Sequence, residues 1–174
     1  MSKTIGYSIW LMPTEDIYNR LNSFISQLSK KYNTPNFEPH VTLIGEVLGS
    51  EEEILSKTSQ LASVVRPYKI ELGKIEYFNA YFRCLFLRAK QTVEVMNANL
   101  KARKLFGRQN ELKYMPHLSL MYGNFSSQTK ERIIAEIGRE ISVSFDVNSI
   151  HLFSTRGIPK DWHRVKEFLL SQTI

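Results

Sequence analysis

The chemistry of this 174-residue chain is concentrated in one heptapeptide and its later echo. Pro39-His40-Val41-Thr42-Leu43-Ile44-Gly45 returns as Pro116-His117-Leu118-Ser119-Leu120-Met121-Tyr122-Gly123. Each copy sets a histidine two residues before a hydroxyl, in a chain with only four histidines. Along a strand, side chains alternate faces, so His40 and Thr42 project together, roughly 7 Å apart, while Val41 and Leu43 turn to the core. His117 and Ser119 repeat the arrangement, with Leu118 and Leu120 turned inward. Brought side by side, the two strands would aim two imidazoles and two hydroxyls at one point.

That set suits a phosphate ester. An imidazole with an unperturbed pKa of about 6.5 can be neutral in one copy and charged in the other near neutral pH. The neutral ring takes a proton from attacking water, and the charged ring gives one to the departing sugar oxygen. Thr42 and Ser119 lack an orienting acid that would make them nucleophiles. They serve better as donors to the non-bridging oxygens, where charge develops. Two histidines alone make a poor metal site, and no nearby Asp or Glu completes a triad in sequence. The expectation is therefore no metal and no cofactor. One His-x-hydroxyl tripeptide means little. The shared proline, alternation, leucine and following glycine make the doubled motif a catalytic candidate.

These residues need strands to hold them, and the flanking sequence provides them. Ile5, Tyr7, Ile9 and Leu11 alternate with Gly6, Ser8, Trp10 and Met12, which reads as a strand ended by Pro13. Thr14 is placed to cap a helix with Ile17, Leu21, Phe24, Ile25 and Leu28 on one face. Ser50 with Glu53 forms a capping box for a second helix carrying Ile54, Leu55, Thr58, Leu61, Ala62 and Val65. Two strands, Ile70 to Tyr77 and Phe82 to Ala89, are joined by a short turn. A third helix follows with the stripe Val93, Met96 and Leu100, stopped at Gly107. After the second motif, Ser126 or Ser127 caps a helix with Ile133, Ile134, Ile137 and Ile141. Strands around Phe145–Phe153 and Val165–Leu169 close the chain. Mixed elements with tight strand pairs give an α+β fold. Neither Gly-x-Gly-x-x-Gly nor a P-loop is present, which argues against Rossmann and triphosphate-hydrolysing enzymes. No linker divides the chain, so residues 1–174 are expected to be a single domain of two intertwined lobes, one carrying His40-x-Thr42 and the other His117-x-Ser119.

In these motifs the chain resembles the 2H phosphoesterase superfamily. Within it, Tyr7-Ser8-Ile9-Trp10-Leu11-Met12-Pro13, Tyr81-Phe82-Arg83-Cys84-Leu85 and the full second motif make it similar to the cyclic phosphodiesterase branch. Tyr122-Gly123 stands where 2′-5′ RNA ligase-like members often carry an arginine. The resemblance implies antiparallel sheets with outer helices, pseudo-twofold symmetry and a central cleft. It also implies hydrolysis of a nucleoside 2′,3′-cyclic phosphate to a 2′-phosphate, or of ADP-ribose 1″,2″-cyclic phosphate. His40, Thr42, His117 and Ser119 match the family's catalytic positions, and Tyr122 matches a tyrosine beside the phosphate. His117 is assigned to the water and His40 to the leaving oxygen, although the doubled motif allows the reverse equally.

Other residues carry weaker signals. Trp10 projects from the polar face of its strand, where it can pack or stack on a base. His151 reads as a structural strand histidine and His163 as a surface one. Tyr77, Phe78, Tyr81 and Phe82 either roof the cleft or pack between lobes. Arg156, Gly157 and Lys160 read as a solvated loop, with binding of a second phosphate as the alternative. The single Cys84 excludes an internal disulfide framework and reads as a core thiol. A net charge of +6 suits an anionic substrate, but without a basic run of nucleic-acid-binding type. No stretch reaches the length of a membrane span, and no signal peptide is evident. A cytoplasmic monomer is expected, acting on a small cyclic nucleotide or cyclic phosphate, with no membrane partner. An RNA-end enzyme acting on 2′,3′-cyclic termini or 2′-5′ linkages is the alternative partner reading. A non-catalytic nucleotide- or RNA-binding module is the alternative of another class.

Overall fold

Val41, Leu43, Leu118 and Leu120 are all fully buried, so each motif segment is a strand with one face in the core. Burial of such a side chain is worth roughly 1.5–3 kcal/mol, and that pins which face each histidine takes. The computed structural model describes residues 2–172. In chain order the elements are β1 Tyr7–Leu11, α1 Glu15–Tyr32, β2 Val41–Val47, α2 Glu51–Val64, β3 Tyr68–Glu76, β4 Leu85–Ala89, α3 Val93–Leu105, β5 His117–Met121, α4 Ser127–Ile137, β6 Glu140–Val147, β7 Ser149–Ser154 and β8 His163–Leu169. Short 3-10 turns lie at Tyr81–Arg83 and Pro159–Asp161.

The strands form one antiparallel sheet in the order β6-β3-β4-β5-β2-β1-β7-β8, so the fold is α+β as the sequence implied. The motif strands β5 and β2 lie at its centre, and the order outward from them is related by a pseudo-twofold. From β2 the sheet runs β1, β7, β8; from β5 it runs β4, β3, β6. The strand–helix–strand unit β1-α1-β2 repeats as β4-α3-β5. The helices interlock the halves. α1, which leads into β2, packs on β5 and β6, while α3, which leads into β5, packs on β2 and β3.

Several elements depart from the sequence expectation. The helix at Thr14 starts there, but the threonine side chain makes no capping bond. Ser50 accepts from the Glu53 amide, while the Glu53 carboxylate turns to Lys57 instead of closing the box. In α3 the expected stripe is wrong. Val93 and Leu100 are 70% and 59% exposed, and the helix docks through Val95, Ala98, Asn99 and Ala102. The alanines allow close approach, and the Asn99 amide donates to the Leu43 carbonyl at 2.7 Å, tying α3 to the first motif strand. Ile141 lies in β6, because α4 ends at Gly138 with φ +97. Phe145–Phe153 is two strands rather than one. The chain leaves β6 at one edge and enters β7 on the far side of the sheet. Of the two strands expected before the third helix, β3 begins at Tyr68, and β4 begins at Leu85, after the 3-10 turn. Among the described residues no helix is long and apolar enough to cross a membrane.

The Asn99 bond carries a prediction. Asn99→Ala removes the side-chain donor to the buried Leu43 carbonyl and should lower the unfolding free energy by about 1–3 kcal/mol. Urea denaturation at unchanged m-value would register it, and a midpoint equal to wild type would contradict it.

Candidate active site

The two motif strands meet through one pair, Val41 with Leu118. In an antiparallel register that pair sets His40 opposite Ser119 and Thr42 opposite His117. Each histidine therefore faces the hydroxyl of the other motif. The four side chains line one cavity of about 270 Å³, together with Tyr122 and the edge of Trp10.

Both imidazoles are held alike. Nδ1 of His40 lies 2.7 Å from the Glu38 carbonyl, and Nδ1 of His117 lies 2.9 Å from that of Met115. A carbonyl oxygen can only accept, so Nδ1 carries the proton and Nε2 is left for the cleft. At that atom a neutral ring offers a lone pair and a charged ring offers an N–H. Burial pushes the His40 pKa down to about 4, partly offset by the Glu38 carbonyl and reinforced by His117. Burial also lowers His117, reinforced by the charges of Arg83 and Arg88. In both rings burial disfavours the charged form.

The hydroxyls differ. Among the described residues the Thr42 hydroxyl has no protein partner, while Tyr114 fixes its backbone by donating to the Thr42 carbonyl at 2.8 Å. The Ser119 hydroxyl donates to the Phe82 carbonyl at 3.0 Å, with the Tyr122 hydroxyl in reach. Tyr122 is buried and stacked on Phe37 at 3.8 Å, and desolvation holds its phenol protonated. Gly123 adopts φ +152, and a Cβ there would come within 2.6 Å of the Phe125 ring, so the motif's closing glycine is sterically required.

Of the two alternatives for Trp10, the structure favours packing. Its indole lies between two rings, His40 at 3.6 Å and Phe153 at 3.8 Å, both near-parallel. Two parallel rings so close to one centroid must cover opposite faces, so no face is left to stack on a base. Trp10 is 2% exposed.

Residues the motif reading passed over also line the cavity. Arg83 follows Phe82 on the 3-10 turn, its guanidinium over the Phe78 ring at 5.4 Å. That turn is anchored by Lys130, a buried cation whose Nζ donates to the Phe78 carbonyl and the Asn79 side chain at 2.9 Å each. Phe82 and Trp162, from opposite halves, approach to 6.1 Å over the cleft. Thr4, Ser8 and Thr155 form a hydroxyl wall, with Ser8 and Thr155 bonded at 3.1 Å. Glu46 reaches the rim from a β-bulge, at φ +52. Ser8 carried a local signal in its alternation with Trp10, Phe82 was a candidate cleft roof, and Glu46 follows the first motif on β2, while Thr4, Thr155 and Trp162 arrive from outside the strands.

Of the weaker candidates, His151 is buried beside Trp10 and bonds Ser149, with its pKa lowered to about 4 by burial. His163 is exposed. Tyr77 packs over Lys130, and Phe78 over Phe86, outside the cavity. Arg156 lies over the Tyr7 ring, and Gly157 pairs with Thr4. Cys84 is fully buried, and burial raises its pKa. Among the described residues no group of three His, Cys, Asp or Glu could hold a metal ion.

Residues 5–170 match the family described as cyclic phosphodiesterase-like protein. The chain is 27% identical over 125 residues to a cyclic phosphodiesterase of Arabidopsis thaliana, covering 72% of this chain and 69% of that one. It is 25% identical over 146 residues to a 2′,3′-cyclic-nucleotide 3′-phosphodiesterase of Yarrowia lipolytica, covering 78% and 65%. Its fold is similar to that of E. coli LigT in apo form, with a TM-score of 0.64 at 15% identity over 98% of this chain and 100% of that one.

The His40 shift has a consequence for stability. A folded pKa near 4 against about 6.5 unfolded leaves its contribution intact above pH 6.5 and removes it as pH falls toward 4. About 3 kcal/mol is at stake. Unfolding of wild type and His40→Gln should therefore converge or cross between pH 6.5 and 4. Parallel stability curves across that window would contradict the shift.

Proposed function

The chain belongs to the cyclic phosphodiesterase-like family, and from that premise we propose that its cleft opens cyclic phosphates by two-histidine acid–base catalysis. The observation that carries the reading is the crossed pairing of the motifs. Two Nε2 atoms reach one cavity from facing strands, each across from a hydroxyl. An in-line displacement needs a base on one side of phosphorus and an acid on the other, and this arrangement supplies both.

The neutral ring takes a proton as water oxygen bonds to phosphorus. The bond from phosphorus to one ring oxygen breaks, and the charged ring protonates that oxygen. The cyclic diester becomes a monoester, and the histidines have exchanged protonation states. Thr42 donates to a non-bridging oxygen, and Ser119 does so after leaving the Phe82 carbonyl. Tyr122, protonated and held by Phe37, is placed to bond the same phosphate. The proton needed by the acid is drawn in by the substrate. A bound phosphodiester anion offsets the desolvation that holds both rings neutral.

The substrate class is a nucleoside 2′,3′-cyclic phosphate, giving a 2′-phosphate, or ADP-ribose 1″,2″-cyclic phosphate, giving the 1″-phosphate. The name of the Yarrowia lipolytica relative favours scission at the 3′ oxygen for the former. A long RNA end fits less well. The broad depression of about 650 Å³ beside the site interleaves Lys69, Lys74, Arg88 and Lys90 with Glu71 and Glu140, so it offers no continuous positive track.

In a metal-free panel of these cyclic phosphates and of oligonucleotides with cyclic or 2′-5′ ends, the mononucleotide and ADP-ribose substrates should turn over. His40→Ala and His117→Ala should abolish turnover. Activity at wild-type level in either variant, or inactivity toward the whole panel, overturns the reading. Thr42→Ala should reduce kcat on the order of 10²-fold. Ser119→Ala should cost less, because its proton is already engaged by Phe82; equal losses would contradict that asymmetry. With both pKa values lowered in the free enzyme, the kcat/KM profile should centre below pH 6.5, and the kcat profile should extend further alkaline. A kcat/KM maximum above pH 7 would contradict the desolvated pair.

A further inference from the structure

The pseudo-twofold relates Trp10, which pairs with Thr42, to Phe86, which pairs with Ser119. Both residues touch the histidine of their own half, but in opposite ways. Trp10 lies flat on His40, at 3.6 Å and 6°. Phe86 meets His117 by its edge, at 5.1 Å and 64°. Phe153 then closes the far face of the indole at 3.8 Å, and Trp162 meets its edge at 5.8 Å. His40 is thereby fixed by its Nδ1 bond and a covered face, with Phe37 at its rim. His117 has the equivalent bond but only one tilted neighbour, and it is more exposed.

We propose that Trp10, backed by Phe153, is a positioning residue that locks the His40 ring and keeps water from it, so that His40 is the fixed member of the pair and His117 the adjustable one. The inference rests on the phosphodiesterase reading above and adds the residue that breaks its symmetry. Trp10 acts through His40 and not on a nucleobase, since both indole faces are already covered. The indole contributes two things. It fixes the direction of Nε2, where misplacement by about 1 Å costs on the order of 10²-fold in rate. It also occupies the space from which solvent would stabilise the imidazolium. The charged and titratable groups around His40 come from several elements. From β5 comes His117, from β7, across Trp10, His151, and Arg83, Tyr122 and Glu46 line the same cavity. The Glu38 carboxylate of its own segment bonds Tyr18 at 2.8 Å and lies 4.0 Å from Arg164 of β8. None of these makes a hydrogen bond or ion pair with the His40 ring.

The test uses Trp10→Phe, Trp10→Leu and Phe153→Leu in the full chain, each checked for folding by thermal melting. Phe153 does not line the cavity, so Phe153→Leu loosens the stack even if Trp10→Leu fails to fold. Kinetics on a mononucleoside 2′,3′-cyclic phosphate should show kcat lowered about 10²-fold in Trp10→Leu and several-fold in Phe153→Leu, with KM little changed and Trp10→Phe near wild type. A rise in KM at constant kcat would instead mark Trp10 as a base platform and overturn the proposal. Histidine NMR titration gives a second readout that needs no turnover, with the His40 signal assigned by its loss in His40→Gln. The His40 midpoint should move up toward the ordinary histidine value in Trp10→Leu and stay low in Trp10→Phe. An unmoved midpoint in folded Trp10→Leu overturns the proposal even if the enzyme is active. A moved midpoint in a protein inactive on every cyclic phosphate would support the lock and defeat the phosphodiesterase reading alone.

Discussion

The pairing of Val41 with Leu118 is a small contact on which the whole site depends. It is where the two halves of the sheet meet through their motif strands. It fixes a register in which each histidine faces the other motif's hydroxyl. A slip of one residue in either motif strand would turn its histidine and hydroxyl into the core and its two apolar residues to the cleft. The apolar half of each motif is therefore what enforces the placement of the polar half. Around that pair the rest of the fold acts as reinforcement. α1 and α3 cross to cover the opposite halves, Asn99 ties a helix to the Leu43 carbonyl, and Tyr114 ties the Thr42 carbonyl from the next segment.

What was legible in the sequence follows from this. Period-two alternation is a local property, so the faces of the motif strands and of β1 could be read directly. The doubled motif implied a pseudo-twofold, and the sheet order carries one. What failed was decided by tertiary context. In α3 the hydrophobic stripe Val93, Met96, Leu100 looked like the buried face, yet close approach to β2 selects alanines and one asparagine. Apolar residues recur from Phe145 to Phe153 with no strong turn signal, and the pairing partners reveal that Asn148 separates strands on opposite sides of the sheet. Trp162, Arg83 and Thr155 reach the cleft from loops, where no periodicity announces a direction. The polar-face position of Trp10 was correct, but its partner turned out to be protein, a fact set by β1 lying between β2 and β7.

Pseudo-symmetry gives the site its two histidines, but catalysis needs the halves to differ. The asymmetries are specific. Trp10 lies flat on His40, whereas Phe86 meets His117 by its edge. Two arginine charges act on His117, and one of them, Arg88, is neutralised by Glu76. The Ser119 hydroxyl is engaged by Phe82, whereas the Thr42 hydroxyl is not engaged by protein. The first leaves the His117 ring less confined than that of His40, whereas the third leaves Thr42, on the β1–β2 half, the freer hydroxyl.

Desolvation ties these features to the chemistry. Burying two imidazoles side by side lowers both pKa values, because each charged form loses water and the two charges repel. On the proposed mechanism, such a pair gains its acid when an anion occupies the space between the rings and restores the electrostatic compensation that burial removed. The proton then arrives with the substrate, and one histidine is protonated while the other stays neutral. A neutral molecule of the same shape would leave both rings uncharged and the leaving oxygen without a donor. On that mechanism, preference for an anionic substrate follows from the same burial that orients the rings, with Arg83 lining the same cavity.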